Sequence, residues 1–232
     1  QLSALRKIAA WLSLAQSSEE ARRIVEGLKL IRVPAGESNG VTRRRRALQP
    51  READKVLRVW ELPTNTHRRN QALIAVLALA ALRRSEAAVL KWRDVDFENG
   101  VITVQHGKGD KLREVPVAGD LALEALKTWQ SAQPVGREYI FCPVRSRDNI
   151  GKDKPISGTD VYRIVKATEA ASGVEFKPHD LRRTFITEAL ATGTPLATVQ
   201  AAAGHARGET TLKYAQAVDA REARKTLKLR YG

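Results

Sequence analysis

The chain has 232 residues, 43% of them hydrophobic, enough for one full-sized domain with its own core plus a smaller element. Forty Lys and Arg against 26 Asp and Glu leave a net charge of +14, a field that draws polyanions and puts nucleic acid first among partners. Cys142 has no second cysteine to pair with, and the longest apolar stretch, from Ala72 to Leu82, is about eleven residues, roughly half of a membrane span. A reduced cytoplasmic setting and no membrane partner are therefore expected. With no Met and no leader, the chain is expected to start inside a larger protein.

Leu5, Ile8 and Leu12 share a helical face, and Ser17 with Glu20 forms a capping box ahead of Ile24, Val25 and Leu28. Residues 1–32 are thus predicted as two short helices. Pro34, Gly36, Ser38, Asn39 and Gly40 then break the pattern and lead into Arg43, Arg44, Arg45 and Arg46. This is a basic linker over 33–47, and by itself it reads as well for a solvated loop as for a nucleic-acid contact. The main domain, 48–232, opens with Pro50 at the first turn of a helix that carries Ala53, Val56, Leu57 and Trp60. A nearly all-apolar helix is predicted from about Arg69 to Leu82, followed by a short one capped by Ser85.

From Val101 to Gln105 and from Leu112 to Val117 the β-branched residues read as strands, joined by the turn Gly107-Lys108-Gly109-Asp110. Helices are predicted near 120–131, 159–171, 180–191, 195–203 and 209–215, with Gly193 and Gly204 as stops and Pro195 as a start. A charged helix at about 219–228 ends the chain. The expected fold class is α+β, mostly helical with one small antiparallel sheet.

Four segments carry chemistry: Ala81-Leu82-Arg83-Arg84-Ser85-Glu86, Gly107-Lys108-Gly109, His179-Asp180-Leu181-Arg182-Arg183-Thr184, and Gly204-His205 followed nine positions later by Tyr214. In that order and spacing they resemble the tyrosine recombinase (phage integrase) family, including its Xer-type members, from about Ala81 to Tyr214. The resemblance implies a catalytic domain in which Arg83, Arg182 and His205 hold a scissile DNA phosphate. It makes Tyr214 the nucleophile, His179 the base and Lys108 the general acid, with Lys111 as the fallback for the acid. Attack on a phosphodiester builds negative charge on the nonbridging oxygens, and a guanidinium meets two of them with one fork of donors. No cofactor, metal or ATP is expected, and no carboxylate or Cys/His cluster has the spacing of a two-metal nuclease.

Glu86 matches an acidic position of the family and is expected to orient Arg83 or a neighbour; a plain helix N-terminal carboxylate is the alternative. Arg84 and Arg183 stand beside the phosphate arginines. Since adjacent helical residues point about a hundred degrees apart, one of each pair is expected to face the phosphate, and Arg84, Arg183 and Arg43 to Arg46 are assigned to other DNA contacts. Ala81 and Ala203 depart from the family's usual Gly and Leu, which bears on packing. The opening helices, 1–32, resemble the tail of the family's N-terminal DNA-binding domain. With only that part of the clamp, DNA binding is expected to be weak and to fall steeply with salt. The implied partners are double-stranded DNA and further copies of the chain, a tetramer on two sites held by the tail after Tyr214. A type IB topoisomerase and a DNA-binding regulator that kept the fold are the competing readings.

Overall fold

The structure is a computed structural model that describes residues 46–104 and 112–204. These fall in one compact unit, Arg45–Gly232, separate from Gln1–Arg44. The predicted opening helices, the basic residues Arg43 to Arg45, the hairpin turn and everything from His205 onward lie outside the described residues.

Helix α1, Pro50–Arg58, starts where Pro50 supplies a preset φ and Glu52 reaches back to the Gln49 N–H. Helix α2, Asn65–Leu79, begins four residues earlier than its apolar pattern implied. Its first turn is polar but doubly capped: Thr64 accepts from the His67 N–H at 3.2 Å, and the Asp148 carboxylate accepts from the Thr66 N–H at 2.8 Å. From Ala72 to Ala78 every residue of α2 is buried, so the helix is apolar all round because it is the centre of the domain.

Among the described residues five helices pack about it. They are α1, α3 (Arg84–Ala88), α4 (Leu121–Ala132), α5 (Gly158–Ser172) and α6 (Pro178–Ala191). The last described helix, α7 (Leu196–Ala203), leans on α6 and on the sheet. His67 is half-buried against Trp60 at 4.8 Å, in an edge-on contact that fixes the chain between α1 and α2.

Among the described residues the sheet has three antiparallel strands, β1 (Val95–Asp96), β2 (Val101–Val104) and β3 (Arg113–Pro116), in that order. The β2–β3 pairing was expected from the β-branched runs, and its register sets Ile102 against Val115 and Val104 against Arg113. Strand β1 was not expected, being too short for an alternating pattern to show. One sequence-assigned cap moves: Arg83, not Ser85, is the N-cap of α3. Gly204 ends α7 as expected, in the left-handed conformation at φ 58.

Ala81 is buried and left-handed as well, at φ 49. A Cβ in that region costs about 1–2 kcal/mol, partly offset by the greater chain entropy that glycine loses. Ala81→Gly is expected to stabilise the domain by about 0.5–1 kcal/mol in urea unfolding; a loss of stability would show that the site is not strained.

Candidate active site

The turn at Ala81 sends Leu82 into the core and leaves Arg83 extended, at φ −72 and ψ 152, ahead of α3. Glu86, one turn on, accepts from the Arg83 N–H at 2.7 Å and from its Nη1 at 2.7 Å. One carboxylate therefore both caps the helix and fixes the guanidinium. Since Arg83 lies before the helix rather than in it, the hundred-degree argument does not apply there: Arg83 and Arg84 line the same cleft.

The other wall is the start of α6. Pro178 takes the first helical position, and the buried Asp180 accepts from the Lys177 N–H at 3.0 Å. His179 is exposed in this first turn, and Arg182 follows one turn below it, only 2% exposed. Arg83, Arg84, Tyr162, Lys177, His179 and Arg182 line one cleft of about 480 Å³. The positive end of a 14-residue helix opens into the same space, so charge, N–H donors and dipole all favour an anion.

Three guanidinium groups hold three successive carbonyls at the other pole of the site, the C-terminus of α7. Arg113 Nε donates to Ala202 O at 3.1 Å, Arg182 Nη2 to Ala203 O, and Arg83 Nη2 to Gly204 O at 2.7 Å. Arg182 Nη1 donates in addition to Ala81 O. These are the carbonyls a helix leaves without intrahelical partners, and cations there complement its negative end. The next residue in the chain is His205.

Arg113 was not among the residues singled out from the sequence. It sits on β3 and forks onto Glu86, with Nη1 to Oε1 at 2.9 Å and Nη2 to Oε2 at 2.7 Å. Burial by itself would raise the Glu86 pKa, but the hydrogen bonds from Arg113 and from Arg83 outweigh it and hold the carboxyl at about 2. A signal was present: in a period-two strand Arg113 shares a face with the buried Val115, an inward position for a charged residue.

Of the remaining candidates, Arg183 is half-buried on α6. Arg46 is clamped onto Glu52, with Nη2 to Oε1 at 2.6 Å, and this pair holds its pKa above the ordinary value. Lys108, His205, Tyr214 and Arg43 to Arg45 lie outside the described residues. Among the described residues no group of His, Cys, Asp and Glu could hold a metal ion, and no helix is long and apolar enough to cross a membrane.

The tyrosine recombinase XerA of Thermococcus kodakarensis is 33% identical over 189 residues, 82% of this chain and 62% of that protein. XerC of Xanthomonas campestris pv. campestris is 32% identical over 219 residues, 92% of this chain and 62% of the relative. The chain thus spans less than two thirds of the length of these curated relatives. A crystal structure of XerA recombinase superposes with a TM-score of 0.65 at 22% identity, covering 99% of this chain and 84% of that one. XerH site-specific recombinase bound to difH substrate, in a pre-cleavage complex, gives a TM-score of 0.61 at 27% identity, over 76% of this chain and 52% of that one. The profile described as Phage integrase family matches residues 46–221, well over half of the sequence, and with the relatives above it shows that the chain belongs to the phage integrase family.

Proposed function

We propose that the chain cuts and rejoins DNA as a site-specific recombinase, by transesterification through a 3′-phosphotyrosyl bond on Tyr214. The observation that carries this reading is the cleft in which Arg83, His179 and Arg182 meet at the N-terminus of α6. The recombinases it resembles, among them one captured with its DNA substrate before cleavage, support it.

In the reaction the Tyr214 phenol oxygen attacks phosphorus while the bond to the 5′ oxygen breaks. Arg83, Arg182 and His205 hold the nonbridging oxygens as charge builds on them. A phenol with a pKa near ~10 is mostly protonated at neutral pH, so His179 takes its proton. Lys108 protonates the departing 5′ oxygen. Because the phosphotyrosyl link keeps the energy of the phosphodiester, a 5′ hydroxyl of another strand reverses the step without ATP.

The protein would act in the cytoplasm at the nucleoid, on double-stranded DNA, as a tetramer spanning two sites. Residues 1–32 would belong to an N-terminal DNA-binding domain, and the segment from Val218 onward would dock on a neighbouring copy. Arg84, Arg183 and the basic run Arg43 to Arg46 would lie along the DNA backbone, with Arg46 exchanging Glu52 for a phosphate.

The test is a nicked target duplex that loses the 5′ end on cleavage and traps the covalent intermediate. Wild type is expected to give a denaturant-stable adduct and Tyr214→Phe none. An adduct that survives in Tyr214→Phe sinks the assignment of the nucleophile. Efficient relaxation of supercoiled DNA with no partner site would instead favour a topoisomerase.

A further inference from the structure

Arg113 belongs to none of the motif segments, yet it touches two of them and stands on the strand that leads from a third. Its guanidinium forks onto Glu86 at 2.9 and 2.7 Å, and Glu86 in turn holds Arg83 through Nη1 at 2.7 Å. Its Nε reaches Ala202 O at 3.1 Å, beside the carbonyls that Arg182 and Arg83 take. Its backbone pairs with Val104 across the hairpin whose turn carries Lys108 five positions before it.

The arrangement is enclosed. The side chains of Arg113 and Glu86 are 9% and 8% exposed. Arg113 also accounts for Gly204, where a Cβ would lie 2.9 Å from Arg113 Cδ. The glycine before His205 is thus required twice, by its left-handed φ of 58 and by the arginine pressed against it.

A surface ion pair contributes little, whereas a buried fork that also captures a helix-end carbonyl fixes three elements in one geometry. Lysine offers a charge without the planar fork and cannot make these contacts together. Unlike Arg83, His179 and Arg182, Arg113 does not line the cleft, so its effect has to pass through Arg83 and through the end of α7.

We propose that Arg113 is a positioning residue for strand cleavage, bracing Arg83 through Glu86 and fixing the end of α7 from which the chain continues to His205. This rests on the recombinase reading, and the experiment separates the two. The full 232-residue chain and its Arg113→Lys and Arg113→Met variants are compared for melting temperature, for DNA affinity and for single-turnover formation of the Tyr214 adduct on nicked duplex. A parallel substrate carries sulfur at the 5′ bridging position, a leaving group that needs no protonation, with Lys108→Ala as the control for the acid.

Arg113→Lys is expected to keep DNA affinity within about threefold while adduct formation slows about a hundredfold, the scale of a small misplacement of catalytic groups. Sulfur is expected to restore Lys108→Ala and to leave the Arg113→Lys defect in place. Arg113→Met is expected to be slower still. The brace is overturned if Arg113→Lys cleaves at the wild-type rate, if its defect disappears with sulfur, or if cleavage, affinity and folded fraction fall together. A wild-type chain that forms no adduct overturns the recombinase reading itself, and with it the reaction Arg113 is assigned to.

Discussion

Arg182→Ala is expected to lower the stability of the domain by about 2–4 kcal/mol and to slow formation of the Tyr214 adduct about a thousandfold. The two losses have different origins. Arg182 is 2% exposed and donates to Ala81 O and Ala203 O. Removing it leaves a cavity and strips a hydrogen bond from two enclosed carbonyls, each worth about 1–3 kcal/mol when unsatisfied. The catalytic loss reflects a preorganised donor aimed at developing charge, for which single deletions cost about a hundred- to a thousandfold. Arg182→Lys separates the terms: it is expected to recover part of the stability while adduct formation stays at least a hundredfold down, since an ammonium cannot hold two carbonyls and a phosphate with one fork. Urea unfolding and single-turnover cleavage on the nicked duplex measure the two effects. A lysine variant that cleaves at the wild-type rate would remove Arg182 from the site.

The second large effect belongs to Glu86. Its folded-state pKa of about 2 lies below the ordinary 4.5, so the unfolded chain binds its proton more readily than the folded one. The stabilisation is therefore complete above about pH 4.5 and is lost as pH falls toward 2; from the size of the shift it amounts to about 3 kcal/mol. Little solvent discount applies, because the side chain is 8% exposed. Glu86→Gln is expected to be less stable than wild type by about 3 kcal/mol at pH 7, with the gap closing between pH 4.5 and 2. Urea unfolding of both proteins across this range checks it, and a gap that stays constant down to the acid limit would mean the carboxylate charge contributes nothing.

Much of the architecture was legible in the residues. The hairpin followed from β-branched runs about a glycine-rich turn, and the helices near 121–132, 158–172 and 178–191 from their apolar spacing. The start of α2 was not, because its first turn is polar and takes its cap from Asp148, 82 residues away along the chain. Strand β1 was lost for lack of length. Arg83, His179 and Arg182, which line one cleft, were singled out through the order of the motifs, whereas Arg113 was passed over because a charged residue on a short strand reads as solvent-facing until its partners are known.

By itself the sequence determined the periodicities, the punctuation by Gly and Pro, the excess of positive charge and the order of the chemistry-bearing segments, for these depend on neighbours along the chain. Only the tertiary structure decided which carbonyls the arginines hold, that Arg83 stands before its helix beside Arg84 in the cleft, and that Glu86 is shared with Arg113. Those contacts join residues 21 to 121 positions apart. No local pattern encodes such a pairing; it comes from burying α2 at the centre, which brings the ends of α3, α6 and α7 and the edge of the sheet to one place.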